Sequence, residues 1–308
     1  MRAFIFPGQG SQAVGMGRAL AEASAEARAV FEEVDEALKQ NLSRLMAEGP
    51  QEELTLTANA QPAIMANAIA TLRASGIRLD EKADFVAGHS LGEYSALCAA
   101  GTFDLATTAR LLKLRGEAMQ AAVPVGEGAM AALLGASREM AQAVAEEAAA
   151  EGEVCTVAND NDPSQVVISG HKAAVERALG IAKEKGAKRA LLLPVSAPFH
   201  SPLMAPAARA MEEALGKAEL RAPSVPVYAN VTAAPTAQPE EIRRLLVEQV
   251  TGMVRWRESV AAMAEAGVTH FVEFGAKVLA PMAKRIAPDA SVTSVITMDD
   301  IDALVGEL

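Results

Sequence analysis

Ser90 stands at the centre of Gly88-His89-Ser90-Leu91-Gly92, a G-x-S-x-G pattern. A short apolar run, residues 84–87, precedes it, and a helical pattern, residues 91–100, follows. That context matches a nucleophile elbow, in which a tight strand-to-helix turn lifts a serine Oγ to a helix N-terminus. Glycines two residues to either side relieve the crowding of so tight a turn. The positive end of the helix dipole favours an oxyanion developing there. A serine of this kind performs acyl transfer, and it needs a base.

Four histidines are available. His89 adjoins Ser90, so its side chain is expected to point away. His171 opens a helical pattern, where capping is its ordinary role. His270 alternates with Val272 and Phe274, as a packed strand residue does. His200 lies in Ala197-Pro198-Phe199-His200-Ser201-Pro202, a loop stiffened by two prolines, and stiff loops on a scaffold carry catalytic groups. It is the preferred base, with a structural role as the alternative. The aspartates between Ser90 and His200 are Asp104, Asp160 and Asp162, and none is predicted to end a strand. A backbone carbonyl at a helix end can orient the imidazole instead.

Two polar residues sit on apolar helix faces. At 3.6 residues per turn, Thr108, Leu111, Leu112, Ala118, Met119 and Ala122 share one face, and Arg115 lies in its middle. A buried guanidinium must be paired. Either it closes an internal salt bridge or snorkels, or it receives the carboxylate of a dicarboxylic acyl group, which its planar fork fits. Gln249 shares a face with Ile242, Leu245 and Leu246 just before Thr251-Gly252. Its carbonyl is a candidate acceptor for His200 Nδ1–H, and an ordinary buried glutamine is the alternative. Gly8-Gln9-Gly10-Ser11-Gln12-Ala13 follows a strand in a glycine-rich turn. A dinucleotide site would need a second strand ending in an acid about 20 residues on, and that region reads as helix. The turn can instead present the Gln9 N–H as an oxyanion donor beside that of Leu91.

The elements that must hold these residues read as α/β. Strands are expected at residues 2–6, 84–87 and 269–274. Helices are expected at residues 15–40, 57–75, 91–100, 103–122, 205–216, 239–250 and 255–266, with a last helix around Lys277. Pro62 is placed near the first turn of its helix, where a missing N–H costs little. Between them, residues 129–134, 137–150, 154–158, 165–169, 171–185 and 189–195 alternate as βαββαβ, with Asn159-Asp160-Asn161-Asp162-Pro163 as the turn between the middle strands. The expected architecture is therefore a large hydrolase-like domain, residues 1–123 and 197–308, with a parallel sheet. A ferredoxin-like domain, residues 124–196, is inserted into it.

Composition narrows the class. The 308 residues are 51% apolar, enough for a large core, and the net charge is −11. That balance lacks the basic footprint of a nucleic-acid binder. No stretch approaches ~18 uninterrupted apolar residues, so no membrane span is expected. The opening residues predict no secretory leader. Cys98 and Cys155 form no metal or disulfide spacing, which fits buried free thiols in a reducing cytoplasm. No surface heptad or long apolar stripe is visible, so a monomer is expected.

Phe6-Pro7-Gly8-Gln9-Gly10-Ser11-Gln12, Gln61-Pro62, Gly88-His89-Ser90-Leu91-Gly92-Glu93, Arg115-Gly116 and Phe199-His200-Ser201 occur in that order. Together they resemble the malonyl-CoA:acyl carrier protein transacylases of type II fatty acid synthesis, over essentially the whole chain. The resemblance implies a ping-pong reaction between malonyl-CoA and holo acyl carrier protein, through a malonyl ester on Ser90. It implies no metal and no resident cofactor. His200 would act as base and then acid, Gln9 and Leu91 as oxyanion donors, and Arg115 as the carboxylate clamp. The Gln249 carbonyl would orient His200, with Gln61 and Asn159 lining the cleft. Phe199 and Leu91 resemble malonyl rather than methylmalonyl versions of the fold. Gly275-Ala276-Lys277-Val278-Leu279 is one residue shorter than the family's usual Gly-x-Gly-Lys-Val-Leu. Lys183, Lys185, Lys188 and Arg189 are a candidate dock for an acidic carrier beside the cleft, or a solvated helix end. Competing readings are a serine esterase or thioesterase, a transacylase serving polyketide synthesis or malonate decarboxylation, and a non-enzymatic scaffold.

Overall fold

The structure is a computed structural model that describes residues 1–195 and 197–308. The chain opens with β1 (Arg2–Phe6), then α1 (Arg18–Ala23), α2 (Ala25–Leu38), α3 (Leu42–Glu48), α4 (Gln51–Thr55), α5 (Thr57–Ser75) and α6 (Leu79–Lys82). It continues through β2 (Phe85–Gly88), α7 (Gly92–Ala99) and α8 (Leu105–Ala121). The middle forms β3 (Gly128–Leu134), α9 (Arg138–Ala148), β4 (Cys155–Asp162), β5 (Gln165–His171), α10 (Lys172–Glu184) and β6 (Arg189–Leu192). Then come α11 (Ala205–Lys217), β7 (Val227–Tyr228), β8 (Pro235–Thr236), α12 (Pro239–Thr251) and α13 (Trp256–Glu265). The chain ends with β9 (His270–Phe274), α14 (Leu279–Ile286), β10 (Ser291–Val295) and α15 (Met298–Glu307).

Ala3, Phe4, Ile5 and Phe6 have no exposed surface, and a strand buried on both faces belongs in the middle of a helix-covered parallel sheet. The large sheet runs β10-β9-β1-β2-β7-β8. Its first five strands are parallel, and β8 folds back antiparallel on β7. Phe4 and Phe6 face Phe274 and the helices of one layer. Ala3 and Ile5 face the other way, towards Trp256, Val260 and Met263. The small sheet runs β4-β5-β3-β6, all antiparallel, within the βαββαβ order expected of the middle of the chain. Ala131, Leu133, Val166 and Ile168 pack under α9 and α10, whereas Met130, Ala132 and Val167 turn towards the core of the large sheet. The expected boundary at residue 196 falls on Ser196, outside the described residues.

Several local expectations are corrected. The helix expected over residues 15–40 is two, because Ser24 caps α2 by accepting from Ala27 N–H. Pro62 lies sixth in α5, inside the helix rather than in its first turn. Asn159 to Asp162 belong to β4 and not to a turn. Their side chains would compete with the ladder, but here they bond to other elements: Asp160 to Arg257, Asn161 to His89 and Asp162 to Arg285. Asp162 thus does end a strand, yet it pairs with Arg285 rather than with His200. The last helix is α15, beyond β10, and not the segment at Lys277. Cys98 and Cys155 are buried free thiols, and burial pushes both up to about 11. Among the described residues no helix is long and apolar enough to cross a membrane.

Candidate active site

β2 ends at Gly88 and α7 begins at Gly92, so three residues must turn the chain from strand to helix. A Cβ on Gly88 would lie 1.8 Å from Gly92 O, and one on Gly92 would lie 2.2 Å from Phe6 O. No larger residue fits either place. Ser90 itself has φ +56°, a left-handed conformation that non-glycine residues adopt at a cost. Asn230, just after β7, braces it: Ser90 N–H donates to Asn230 Oδ1 at 2.8 Å, and Asn230 Nδ2 donates to Gly88 O at 2.7 Å.

Ser90 Oγ lies 2.7 Å from His200 Nε2. His200 Nδ1 lies 2.8 Å from the Gln249 carbonyl and 3.2 Å from that of Gly252. Carbonyls only accept, so Nδ1 carries the proton and Nε2 offers its lone pair to the serine hydroxyl. Two main-chain carbonyls at the end of α12 therefore set the tautomer, where a carboxylate would stand in a serine–histidine–aspartate triad. Burial, and next the charge of Arg115, hold the imidazole down to about 3. The other three histidines are engaged elsewhere. His89 bonds Asn161 Oδ1 at 2.7 Å, His171 Nδ1 accepts from Val154 N–H, and His270 bonds Thr293 Oγ1.

Arg115 is 1% exposed. Its Nη1 donates to Gln61 Oε1 at 2.7 Å; its Nη2 donates to Gln249 Oε1 at 2.8 Å and to Ser90 Oγ at 3.2 Å. Its carbon lies 5.7 Å from the Tyr94 ring centre. Among the described residues its hydrogen-bond partners are neutral, and Nε has none. A buried guanidinium bonded to neutral groups can receive a carboxylate. Gly116, next along α8, lets α5 approach closely, since a Cβ there would meet Ala58 Cα and Thr57 O at 2.6 Å. That contact brings Gln61 to the guanidinium.

A cleft of about 190 Å³ opens over these groups. Gln9, Gln61, Leu91, Asn159, Phe199 and Met130 contribute to its walls. Gln9 Oε1 accepts from Thr57 Oγ1 at 2.7 Å. Among the described residues neither Gln9 N–H nor Leu91 N–H donates to a protein acceptor. Asn159 Oδ1 is buried without a partner there. The arrangement can deliver a serine oxygen to a carbonyl and take its proton, with a guanidinium nitrogen 3.2 Å from the attacking atom.

Sequence reasoning passed over Asn230, the Gly252 carbonyl and Asn161. Asn230 follows Tyr228-Ala229 at the carboxyl end of a two-residue parallel strand, too short to show any alternation. The one-residue-shorter loop after β9 closes on Glu273, whose carboxylate accepts from Val278, Leu279 and Ala280 N–H. The lysine cluster is not beside the cleft. Arg189 begins β6 opposite Leu134, whereas the cleft-lining Leu193 follows the other end of that strand, roughly 13 Å away at ~3.3 Å per residue. Lys185 is paired with Glu147 at 2.8 Å.

The acyl transferase domain model matches residues 3–294. A malonyl CoA-acyl carrier protein transacylase of Bacillus subtilis (strain 168) is 47% identical over 288 residues, covering 92% of this chain and 90% of that protein. The crystal structure of an acyl-carrier-protein-S-malonyltransferase from Bartonella henselae superposes with a TM-score of 0.96 at 54% identity, covering 99% of each chain. A malonyl-transacylase in complex with its type II PKS acyl-carrier protein superposes at 0.95 with 40% identity, covering 100% of this chain and 99% of that one. With fold, sequence and nearly the full length in agreement, the chain belongs to the acyl transferase domain family.

Proposed function

We propose that this protein moves a malonyl group from malonyl-CoA to the phosphopantetheine thiol of holo acyl carrier protein, supplying malonyl units for fatty acid synthesis. The observation that carries this reading is a buried Arg115, whose hydrogen-bond partners among the described residues are neutral, within 3.2 Å of a serine that is itself 2.7 Å from an imidazole.

In the first half-reaction Ser90 Oγ attacks the thioester carbonyl, and its proton passes to His200 Nε2. The oxyanion is held by the N–H groups of Gln9 and Leu91, the latter at the N-terminus of α7, whose dipole favours it. The C–S bond breaks, the thiolate of CoA takes the proton from His200, and a malonyl ester remains on Ser90. The carrier's thiol then gives its proton to His200 and attacks that ester. The C–O bond breaks, and the proton returns to Ser90. Arg115 binds the malonyl carboxylate throughout, with Gln61 and Gln249 holding the guanidinium. Phe199 and Asn159 wall the cleft. Side chains and backbone carry every step in this reading, without a metal or cofactor. We propose as well that residues 124–196 are an inserted domain whose β3 and β6 cover the cleft, and that the protein works as a single copy in the cytoplasm.

Intact-protein mass spectrometry after brief exposure to malonyl-CoA and, separately, to acetyl-CoA tests this reading. The expected result is a malonyl adduct on the wild type, little acetyl adduct, and none on Ser90→Ala. Free CoA accumulating without adduct would establish hydrolysis instead. Neither adduct nor free CoA would mean another donor.

A further inference from the structure

Behind Ser90, on the side away from the cleft, lies a buried carboxyl group that the reaction above does not use. Glu93 is 2% exposed in the first turn of α7. Its Oε2 accepts from Gln249 Nε2 at 2.7 Å and from Asn230 N–H at 3.3 Å. Gln249 hydrogen-bonds both of the serine's side-chain neighbours, His200 and Arg115. Its main-chain carbonyl holds His200, and its side-chain Oε1 holds Arg115.

The Gln249 amide can sit in its slot in two senses. In the observed sense Oε1 meets Arg115, while Nε2 meets Glu93 Oε2, Ser90 O at 2.9 Å and Asn230 Oδ1 at 3.2 Å. Flipped, its oxygen would face three acceptors and its NH2 would face a guanidinium. Two hydrogens serve three acceptors, and the shortest of the three bonds goes to Glu93. We propose that Glu93 is a positioning residue: its oxygen selects the amide sense of Gln249 and thereby sets the guanidinium of Arg115 where the acyl carboxylate binds. What the role requires is an acceptor oxygen at that reach, not a charge. Burial pushes the Glu93 carboxyl up to about 7, so its neutral form, which a glutamine imitates, exists near neutrality.

This inference rests on the malonyl-transfer reading, and three substitutions separate it from a structural role. Glu93→Gln keeps an oxygen at the same reach. Glu93→Asp keeps the charge but is one methylene shorter, enough to break a 2.7 Å hydrogen bond. Glu93→Ala removes both. The readout is single-turnover acylation of Ser90 by malonyl-CoA and by acetyl-CoA, on proteins matched by thermal melting. Glu93→Asp and Glu93→Ala are expected to lower the malonyl rate roughly tenfold or more, because small misplacements of an orienting group are costly. They should lower the malonyl-to-acetyl ratio with it, since acetyl makes no use of Arg115. Glu93→Gln is expected to rescue both. Rescue by aspartate and not by glutamine would overturn the proposal in favour of a charge effect. So would equal loss in the two, or an unchanged ratio in all three. If Glu93→Ala does not fold, the Gln and Asp pair still decides. A wild type that forms no malonyl adduct would instead sink the functional reading itself.

Discussion

Of the two largest causes of the low basicity of His200, only one is permanent. Burial acts always, whereas the Arg115 charge acts until an anion neutralises it. In the proposed reaction a malonyl carboxylate on Arg115 would raise the basicity of the imidazole as the donor binds, and an acetyl group would not. Arg115→Met should move the acid limb of Ser90 acylation by acetyl-CoA upward, towards the ordinary histidine value near 6.5. It should also slow acylation by malonyl-CoA, by roughly 10²-fold or more if Arg115 acts on charge in a dry site. Acid limbs at the same pH in both proteins would refute the coupling. The same groups shape stability. His200 is held below its ordinary 6.5, so its contribution is complete above that pH and is lost as pH falls towards about 3. Glu93 is raised from 4.5 to about 7, so its contribution is complete below 4.5 and is lost as pH rises through about 7. Between 4.5 and 6.5 the two slopes oppose each other. Melting temperatures across roughly pH 3 to 8, which brackets these values, should show a flat centre, and Glu93→Gln should flatten the decline on its alkaline side. A Glu93→Gln profile parallel to the wild type there would show that Glu93 is not the titrating group.

Among the elements, α8 shows how a helix face both announces a site residue and sets it in place. One charge among Leu111, Leu112 and Met119 at helical spacing is visible in the letters, and Arg115 is indeed buried. What the letters do not show is the partner. Gln61 reaches Arg115 because α5 and α8 touch at Gly116, a tertiary contact with no local signature. Gly116→Ala would force α8 away from Ala58 and Thr57. The expected cost is about 1–3 kcal/mol of stability, as for overpacking elsewhere in a core. A lowered malonyl-to-acetyl acylation ratio should accompany it, because the guanidinium shifts with the helix. Unchanged urea midpoint and unchanged ratio together would mean that α5 yields freely. The misread elements share one cause. β4 looks like a turn because Asn159-Asp160-Asn161-Asp162 is turn-forming locally, and only distant partners make it a strand. β7 and β10 are short, or only partly buried, and carry little periodicity. Ser90 and His200 were legible by elimination, since the fold leaves the other histidines occupied by neighbours of their own. Gly252 acts through its main-chain carbonyl, and the Asn230 side chain is placed by a strand end too short to carry a pattern.

At the scale of the whole molecule, the chemistry stands on the large sheet while much of the cleft wall stands on the small one, so their mutual placement matters. β4 is the joint. Asp160 N–H donates to Val254 O at 3.0 Å, and Val254 N–H donates to Ala158 O at 2.8 Å, which continues the small sheet onto the loop before α13. Two carboxylates with no exposed surface to speak of fasten the same edge: Asp160 takes Arg257 in a forked pair, and Asp162 takes Arg285 at 2.7 Å. Asn159 and Asn161 alternate with them and face the cleft and His89. One strand thus uses its two faces for two purposes, anchoring and lining. The opposite edge, β6, carries no such ties among the described residues, and Leu191 and Leu192 are exposed there. Loosening the anchored edge should let the small sheet pivot and widen the cleft without touching Ser90, His200 or Arg115. Asp160→Asn tests this. Arg257 is 32% exposed and water can solvate it, so the loss should be about 1–2 kcal/mol, at the low end for a partly buried pair. Hydrogen exchange should quicken at the amides of residues 158–160 and 254. The Michaelis constant for malonyl-CoA should rise while the maximal rate of Ser90 acylation holds, because the reacting groups keep their distances. A fall in the maximal rate with an unchanged Michaelis constant would place Asp160 in support of the chemistry rather than of the cleft.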